Sequence, residues 1–356
     1  MDGEKRDRRM MFKPNFKYTT KIVNNLIEST SAKEIILNAY LVPKWEVSLR
    51  RDALITAAHS STAIEGNPLT LDEVSELAKG RKVMATRKAK QEVLNYLNVL
   101  ENIERYADDD RFITENGILK MHKELTKDTL DKPGYEGRYR EVQVYVGNRI
   151  TGEVIFMPPP PQDIPRLMKG LLNWLNSEDS HQLNPVLVAG ISHYEFARVH
   201  PFVDGNGRTA RALATLLLYL RDFDIKRFFA LDDYYDGDRM AYYRALKSVD
   251  QKTLDLTEWL EYFTEGVLIS ISKVEGKVRK FALDRQRKDR KGQIALTEKQ
   301  MDIIEYIQRY GQISSGDVAK MFKLTRQAAL KELSKLVELE VITLEGKGRG
   351  AHYVIL

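Results

Sequence analysis

The sequence predicts a mainly α-helical protein: a helical bundle with one β-hairpin, followed by a small α+β module. Three observations lead to this prediction. Apolar residues recur at helical spacing through most of residues 19–272, with short connections between segments. Only residues 141–157 alternate as a β-hairpin does. After a basic segment at 273–291, residues 292–356 predict a helix, a helix-turn-helix and two short strands.

The N-terminal part is predicted to be helical throughout, because its apolar residues keep helical spacing from one segment to the next. Thr70 should cap one of these helices, since Glu73 stands three residues later, at capping-box spacing. Pro43 interrupts the pattern between the first two helices. The predicted helices of this part are residues 19–39, 47–64, 71–79, 86–107 and 114–126.

The helix over residues 47–64 ends in Ser61-Thr62-Ala63-Ile64-Glu65-Gly66-Asn67-Pro68. Gly66 suits the first position beyond a helix, and Pro68 cannot continue one. Glu65 is unusual, because a carboxylate in the last turn opposes the helix dipole. Either a cation compensates it, for which an arginine is the natural candidate, or the side chain is solvated at a cost of about a few tenths of a kcal/mol. Local pattern alone favours the solvated side chain.

The predicted hairpin consists of Glu141–Val146, the connection Gly147–Gly152, and the less regular stretch Glu153–Met157. A lone hairpin is marginally stable, so it should lean on the bundle. Its exposed edge could pair with an extended partner chain, although a hairpin by itself is no evidence of function.

The second half of the bundle is predicted to be helical as well, after Pro158–Pro161 end the hairpin. His193 is expected to be a packed or hydrogen-bonded histidine and not a ligand. Tyr242 and Tyr243 could stack a nucleotide base or serve as ordinary core residues, and the pattern favours neither. The predicted helices here are residues 164–176, 185–198, 209–220, 239–247 and 256–272, with Trp174, Trp259 and Phe263 in the core.

Most of the chemistry lies in His200-Pro201-Phe202-Val203-Asp204-Gly205-Asn206-Gly207-Arg208-Thr209-Ala210-Arg211. A glycine-rich turn at a helix N-terminus offers backbone N–H groups and the positive end of the dipole to an anion. Arg208 and Arg211 lie three residues apart and can reach over the same turn, which suits a polyphosphate. Asp204 is a hard oxygen ligand suited to Mg²⁺. His200 is then the candidate base or nucleophile near neutral pH. The alternative, a loop–helix junction with solvated charges, explains this density of functional groups poorly.

The C-terminal module, residues 292–356, has the element order of a winged helix. Its recognition helix would be Thr325 to Leu339 and would expose Arg326, Gln327, Lys331 and Lys335. DNA binding is one interpretation. Because the module is nearly neutral and winged helices also dock proteins, a protein partner is equally favoured.

The amino-acid composition limits the classes of protein and of site that are possible here. The chain has no cysteine, which excludes disulfides and thiolate zinc sites and suits a reducing cytoplasm. The net charge of +5 is too small to identify a nucleic-acid partner. No run of eighteen apolar residues or signal-peptide pattern is found, so we expect a cytoplasmic protein with no membrane association.

Residues 200–211 resemble the signature of the Fic family, His-Pro-Phe-x-(Asp/Glu)-Gly-Asn-Gly-Arg-x-x-Arg, at every fixed position. The resemblance covers roughly residues 20–270 and includes the hairpin upstream of the signature. It implies a Fic-type bundle with a hairpin flap. It also implies an AMP transferase that uses MgATP to modify a Tyr, Thr or Ser hydroxyl of a protein, itself included, with release of pyrophosphate.

The resemblance assigns a role to each signature position. His200 would be the general base, and Asp204 would hold Mg²⁺ at the α- and β-phosphates. Arg211 would hold the γ-phosphate, and Tyr145–Met157 would align the target chain by strand pairing. The other implied nucleotide-binding residues are Gly205, Asn206, Gly207, Arg208, Thr209 and Ala210 around the phosphates, with Tyr242 and Tyr243 near the adenosine.

A second resemblance concerns Ser61-x-x-x-Glu65-Gly66, which is similar to the family's inhibitory motif (Ser/Thr)-x-x-x-Glu-(Gly/Asn). It implies that the cation compensating Glu65 is Arg211, so that Glu65 keeps ATP out of its productive pose. The expected organisation is then an N-terminal helical region with the inhibitory helix (1–110), a catalytic core (111–272), a basic helix or linker (273–291) and a winged helix (292–356).

Alternatives stay open at this point. The same site could transfer a phosphate or remove AMP. The protein could also be a transcriptional regulator whose Fic domain senses nucleotide. The target protein and a homodimer are further open points.

Overall fold

The computed structural model describes residues 12–39, 41, 43–147, 154–223, 227–286, 296–339, 341–346 and 348–356. Over these ranges the chain is mainly helical with two small two-stranded sheets, which confirms the predicted fold class. Among the helices described, none is both long enough and apolar enough to span a membrane.

The helices of the first part agree in order with the sequence pattern. Threonine side chains cap four of them, and the predicted capping box of Thr70 and Glu73 is confirmed. Pro43 starts the second helix, where its missing N–H costs nothing. The helices are α1 (Thr20–Asn38), α2 (Pro43–Ile64), α3 (Leu71–Ala78), α4 (Arg87–Glu101) and α5 (Glu115–Thr126).

The second part of the bundle has seven helices among the described residues. Two differ from prediction in extent, and two short ones were not predicted. Those helices are α6 (Ile164–Leu175), α7 (Glu178–His181), α8 (Pro185–Val199), α9 (Asn206–Leu220), α10 (Asp232–Gly237), α11 (Arg239–Lys247) and α12 (Thr257–Gln286).

Helix α9 begins at Asn206, three residues before the predicted start at Thr209, because Gly205 adopts the left-handed conformation and ends the preceding loop. Gly207 and Arg208 therefore lie in its first turn. Helix α12 continues without a break to Gln286, beyond the predicted end at 272. The short helix α10 was not predicted, since its run of Asp and Tyr has no helical periodicity.

One apolar core unites the bundle, from Ile22 in α1 to Val267 in α12. Helices α8 and α9 form its centre, with nearly all of their side chains buried. Trp259 and Phe263 are fully buried, as predicted, and each contributes about 2–3 kcal/mol by removal from water. The segment that joins α8 to α9, residues 200–205, is thus held between two fixed helices.

The predicted hairpin is present but shorter than expected. Strand β1 (Val146–Gly147) pairs antiparallel with β2 (Val154–Phe156), with Val146 opposite Phe156. The prediction of a strand over residues 141–145 is wrong. A side chain bonds to the backbone there in place of a partner strand, since Arg140 Nη1 donates to the Val142 carbonyl at 3.0 Å. Residues 148–153 of the predicted hairpin lie outside the described residues.

The C-terminal part follows the predicted element order. Helices α13 (Glu298–Tyr310), α14 (Ser315–Met321) and α15 (Arg326–Glu338) precede strands β3 (Ile342–Glu345) and β4 (His352–Ile355). The strands pair in continuous antiparallel register, and Ile313 bridges to Tyr353. This part has its own apolar core, to which α2 adds Val47. The assignment as a winged helix stays a prediction.

Candidate active site

The N-terminus of α9 forms an anion cradle. Gly205 has φ 77°, and a side chain there would meet Thr126 Cγ2 at 2.6 Å. The Asn206 amide bridges both backbone groups of Phe202 at 2.9 Å and fixes the loop. Thr209 N–H closes a helical bond to the Gly205 carbonyl at 3.0 Å. The N–H groups of residues 206–208 therefore have no helical carbonyl to bind and are available to an anion.

His200 follows α8 in the left-handed conformation, with φ 50° and ψ 59°. Its Nδ1 lies 3.2 Å from the Ala197 carbonyl. A carbonyl can only accept, so Nδ1 carries the proton and Nε2 keeps its lone pair. Burial lowers the pKa of His200, and the Ala197 carbonyl and the Glu65 carboxylate oppose that shift. His200 is thus a neutral imidazole near pH 7, ready to accept a proton at Nε2.

Arg140 holds His200 in this conformation, which costs a non-glycine residue about 1–2 kcal/mol. Its Nε donates to the His200 carbonyl at 2.8 Å, and its backbone N–H donates to Pro201. Its Nη2 donates to the Pro159 carbonyl at 2.6 Å, beyond β2. Arg140 is 2% exposed, and within the described ranges its guanidinium donates only to backbone carbonyls. It therefore ties the base of the hairpin to the candidate catalytic loop.

His122 supports the same loop from α5. Its ring stacks on Phe202 with centroids 3.6 Å apart, its Nδ1 accepts from Gly137 N–H at 2.9 Å, and its Nε2 lies 2.9 Å from the Asp204 carbonyl. These partners fix the neutral tautomer with the proton on Nε2. Burial lowers the pKa of His122 to about 4, so the ring stays neutral in this clamp.

Arg208 is a buried cation with free donors. It is 3% exposed, and its nearest carboxylates are Glu92 at 3.7 Å and Asp204 at 3.8 Å, too far for strong hydrogen bonds. Its Nε and Nη1 have no hydrogen-bond partner among the described residues. Buried donors of this kind normally have a hydrogen-bond partner. Phosphate oxygens would suit the free donors of Arg208.

Asp204 is suitably placed for a metal ion that arrives with phosphates. Its side chain is 44% exposed, and Oδ1 accepts from Gly205 N–H at 2.6 Å. Mg²⁺ commonly takes one or two carboxylates together with phosphate oxygens and water. Within the described ranges no group of three or more metal-ligating side chains occurs. The residues present therefore fit a nucleotide-bound Mg²⁺ and not a dedicated metal centre.

Arg211 lies next to this cradle and is fully engaged. Its Nη2 donates to Glu65 Oε1 at 2.8 Å and to the Ser61 carbonyl at 2.9 Å. Its Nε donates to Ser61 Oγ at 2.7 Å and lies 3.3 Å from Asp232 Oδ1. Asp232 also accepts from Tyr96 Oη at 3.1 Å. The guanidinium is thus held by Ser61 and Glu65 at the end of α2 and by Asp232 of α10.

Glu65 also occupies space in the cradle. A methyl group built on Gly207 would overlap Glu65 Oε1, so the carboxylate lies against the first turn of α9. Gly66 allows this position, because with φ 92° it ends α2 in a Schellman motif through bonds from Gly66 and Asn67 N–H. A carboxylate of the chain therefore stands where the helix N-terminus would attract an anion.

The tyrosines of α11 differ in exposure. Tyr242 is 3% exposed and belongs to an aromatic cluster, where its hydroxyl lies 2.8 Å from His193 Nε2. Tyr243 is 40% exposed and offers an open ring. His193 is buried, and burial lowers its pKa to about 3, so it is a neutral core histidine. Thr209 and Ala210 are fully buried in the first two turns of α9, and the Thr209 hydroxyl is bonded to the Gly205 carbonyl at 2.8 Å.

The structure brings Glu65, Ser61 and all the signature residues to one end of the bundle. Sequence reasoning missed Arg140, His122 and Asp232. Asp232 is a buried carboxylate held against Arg211, and nothing local in its sequence distinguishes it from the exposed aspartates nearby. The only available signal for Arg140 was its position immediately before the alternating stretch.

The sequence profile of the Fic/DOC family matches residues 112–218. Several similar sequences are named protein adenylyltransferase Fic. The Drosophila mojavensis relative is 33% identical over 59% of this chain and 42% of its own length. The Drosophila grimshawi relative is 32% identical over 69% of this chain and 52% of its own length. The chain thus spans about half the length of the curated relatives it matches.

Solved structures with the same fold are also known. A Fic family protein from Desulfovibrio desulfuricans has a TM-score of 0.64 and 25% identity, covering 97% of this chain and 98% of that one. A signaling protein from Bacteroides thetaiotaomicron that contains a Fic domain has a TM-score of 0.60 and 24% identity, over 72% of this chain and 97% of its own.

Proposed function

Residues 112–218 belong to the Fic/DOC family, and from this and the site geometry we propose a protein adenylyltransferase held inactive by its own Glu65. The enzyme would transfer AMP from MgATP to a Tyr, Thr or Ser hydroxyl of a protein. The observation that carries the proposal is the cradle itself. A buried Arg208 with unbonded donors and the free N–H groups of α9 converge beside a neutral His200.

The reaction follows from these positions. His200 Nε2 accepts the proton of the target hydroxyl, whose oxygen forms a bond to the α-phosphorus while the bond to pyrophosphate breaks. Arg208 and the α9 N–H groups stabilise the negative charge on the phosphate oxygens. Arg211, once free of Glu65, holds the γ-phosphate. Mg²⁺ held by Asp204 would neutralise charge on the α- and β-phosphates. His200 later releases its proton to solvent.

The hairpin supports a protein as the acceptor. Among the strands that the structure describes, β1 and β2 pair only with each other, so an extended segment of a target can add to an edge through backbone hydrogen bonds. Arg140 links this hairpin to His200. A target hydroxyl presented on such a strand would therefore arrive in register with the base. Tyr243 is the exposed ring available to the adenine.

Inhibition follows from the contacts of Glu65. Its carboxylate pairs with Arg211 and lies against Gly207, so it competes with the γ-phosphate for both the arginine and the space. ATP can then bind only in a pose that lacks the Arg211 contact. Release of Glu65 from Arg211 would free both the guanidinium and the space beside Gly207 for the γ-phosphate.

The C-terminal part supports a second partner. Arg326, Gln327, Lys331 and Lys335 are all exposed on α15, the face that a winged helix presents to DNA. We propose that this face binds a macromolecular partner, either DNA or a protein. Binding of the full-length protein to DNA should weaken steeply with salt, and salt-independent capture of a protein instead would favour a docking role.

The test of the catalytic proposal is the chemical group transferred. The Glu65→Gly protein is incubated with MgATP, and its modified peptides are identified by mass spectrometry. A gain of AMP on a hydroxyl is expected, whereas a gain of phosphate would make it a phosphotransferase and loss of AMP from a pre-modified protein a hydrolase. His200→Ala in that background should abolish the gain, and His181→Ala, at an exposed histidine, should not.

A further inference from the structure

A second cavity lies apart from the α9 cradle. It has a volume of about 570 Å³ and lies between the bundle and the C-terminal part. Helices α2 and α9 and the end of α4 form its floor, and helices α13 and α14 form its roof. This volume falls within the roughly 300–1,000 Å³ typical of small-molecule sites, which often lie between domains.

The charge on its wall favours an anion. Four arginines line the cavity, Arg50, Arg51, Arg105 and Arg227, against three acidic residues, Glu101, Asp232 and Asp302. Asp232 is already paired with Arg211. Arg227 pairs with Glu104 at 2.7 Å. Arg51 and Arg105, in contrast, form no ion pair within 4 Å among the described residues. Burial lowers the pKa of Arg51, and the nearby Asp52 carboxylate opposes that shift.

The rest of the wall favours an apolar, flat ligand body. Leu54 and Ala57 of α2 and Phe229 line the floor, and Tyr306 and Phe322 line the roof. Aromatic side chains on two sides of a cavity can sandwich a planar group. Together with the arginines they suit a small aromatic or apolar acid, with its carboxylate, sulfonate or phosphate at the guanidiniums.

This cavity touches every element that holds Arg211. Ala57 lies one helical turn before Ser61 on α2, the helix that ends in Glu65. Asp232 lines the cavity and lies 3.3 Å from Arg211 Nε. Thr215 also lines it, and its hydroxyl donates to the Arg211 carbonyl at 3.1 Å. A ligand here would contact α2 one turn before Ser61 and would contact Asp232, one of the two carboxylates that hold Arg211.

We propose that this cavity is a regulatory site for a small aromatic or apolar acid, and that its ligand stabilises the inhibited conformation. The direction of this effect follows from the way in which a ligand shifts a conformational equilibrium. The cavity exists in the conformation in which Glu65 holds Arg211, and a ligand favours the conformation that contains its site. The claim that the ligand regulates the enzyme rests on the proposed function, whereas the claim that the cavity binds such a ligand does not.

The binding test uses anilinonaphthalene sulfonate, a fluorescent aromatic sulfonate, titrated into the full-length protein. One saturable site is expected. Reversing the charges of two lining arginines, in Arg51→Glu with Arg105→Glu, should weaken binding by about tenfold or more, because two attractive charges become repulsive. Tyr306→Ala should also weaken binding.

The matched control reverses two arginines outside the cavity, in Arg87→Glu with Arg279→Glu, and should leave binding unchanged. Circular dichroism melting curves verify that each variant is folded. Equal binding by the cavity double variant and wild type, or binding that does not saturate, would overturn the site.

The coupling test requires no catalysis. Because the ligand favours the state with Glu65 on Arg211, the Glu65→Gly protein should bind the probe several-fold more weakly than wild type. Equal affinity of wild type and the Glu65→Gly protein for the probe would refute the claim that the ligand regulates the enzyme. If AMP transfer is found, the probe should also slow auto-modification of the wild type and leave the cavity double variant unaffected. A failure of transfer altogether would refute the catalytic proposal while the binding results still stand.

Discussion

Replacing Glu65 should tighten nucleotide binding by an amount that the structure bounds. The Glu65–Arg211 contact is a 2.8 Å charge-assisted bond, with Arg211 1% and Glu65 35% exposed. Such bonds contribute about 1.5–3 kcal/mol when buried. The exposure of Glu65 reduces this to about 1–2 kcal/mol. Since 1.4 kcal/mol is about a factor of ten, Glu65→Gly should bind ATP about 5–30 times more tightly.

The assay is calorimetric titration with α,β-methylene ATP and Mg²⁺, because this analogue cannot transfer AMP. Glu65→Gln separates charge from occupancy, since glutamine keeps the bulk over Gly207 but loses the ion pair. It should gain less affinity than Glu65→Gly. The variants should remain folded, because Arg211 keeps Ser61 and Asp232 as partners. Equal affinity for wild type and both variants, with exposed Glu258→Gly as the control, would refute competition by Glu65.

Three further predictions concern residues around the site. Arg140→Lys should lower kcat by about tenfold or more with little change in nucleotide affinity, because it frees the His200 backbone; an equal rise in KM for ATP would contradict this. The acid limb of kcat/KM should lie below pH 6.5, since burial lowers the pKa of His200. Burial lowers the pKa of folded His193 to about 3 against 6.5 unfolded, so the unfolded chain binds more protons. The free energy of unfolding should therefore decrease as pH falls below 6.5, and His193→Gln should reduce that slope in urea titrations.

Local features of the fold could be predicted because they depend on neighbouring residues. Thr70 with Glu73 forms the expected capping box, and Gly66 ends α2 as expected. The start of α9 was misjudged, since Gly205 looks the same in sequence whether it caps a helix or lies in a longer turn. The strand before Val146 was overestimated because alternation cannot reveal that Arg140 competes for its carbonyls.

The candidate site was predictable where its residues are contiguous, as in residues 200–211, and not where distant segments converge. Arg140 reaches His200 across 60 positions, and Asp232 meets Arg211 only through packing of α10. The pairing of Glu65 with Arg211 lies between these two cases, because the sequence predicted it only in part. Helix electrostatics offered a compensating cation as one of two explanations for Glu65, and local pattern favoured the other, a solvated side chain. Family resemblance was needed to choose the cation and to identify it as Arg211, and the 2.8 Å contact agrees with that choice.

The measurement that tests the central claim most directly is the initial rate of auto-AMPylation with α-labelled ATP for wild type, Glu65→Gly and Glu65→Gly with His200→Ala. A complete site restrained by one carboxylate predicts a rise of about tenfold or more in the single variant and no label in the double variant. An unchanged rate in a folded Glu65→Gly protein that still binds ATP would contradict restraint by Glu65, and full activity in the double variant would exclude His200 as the base.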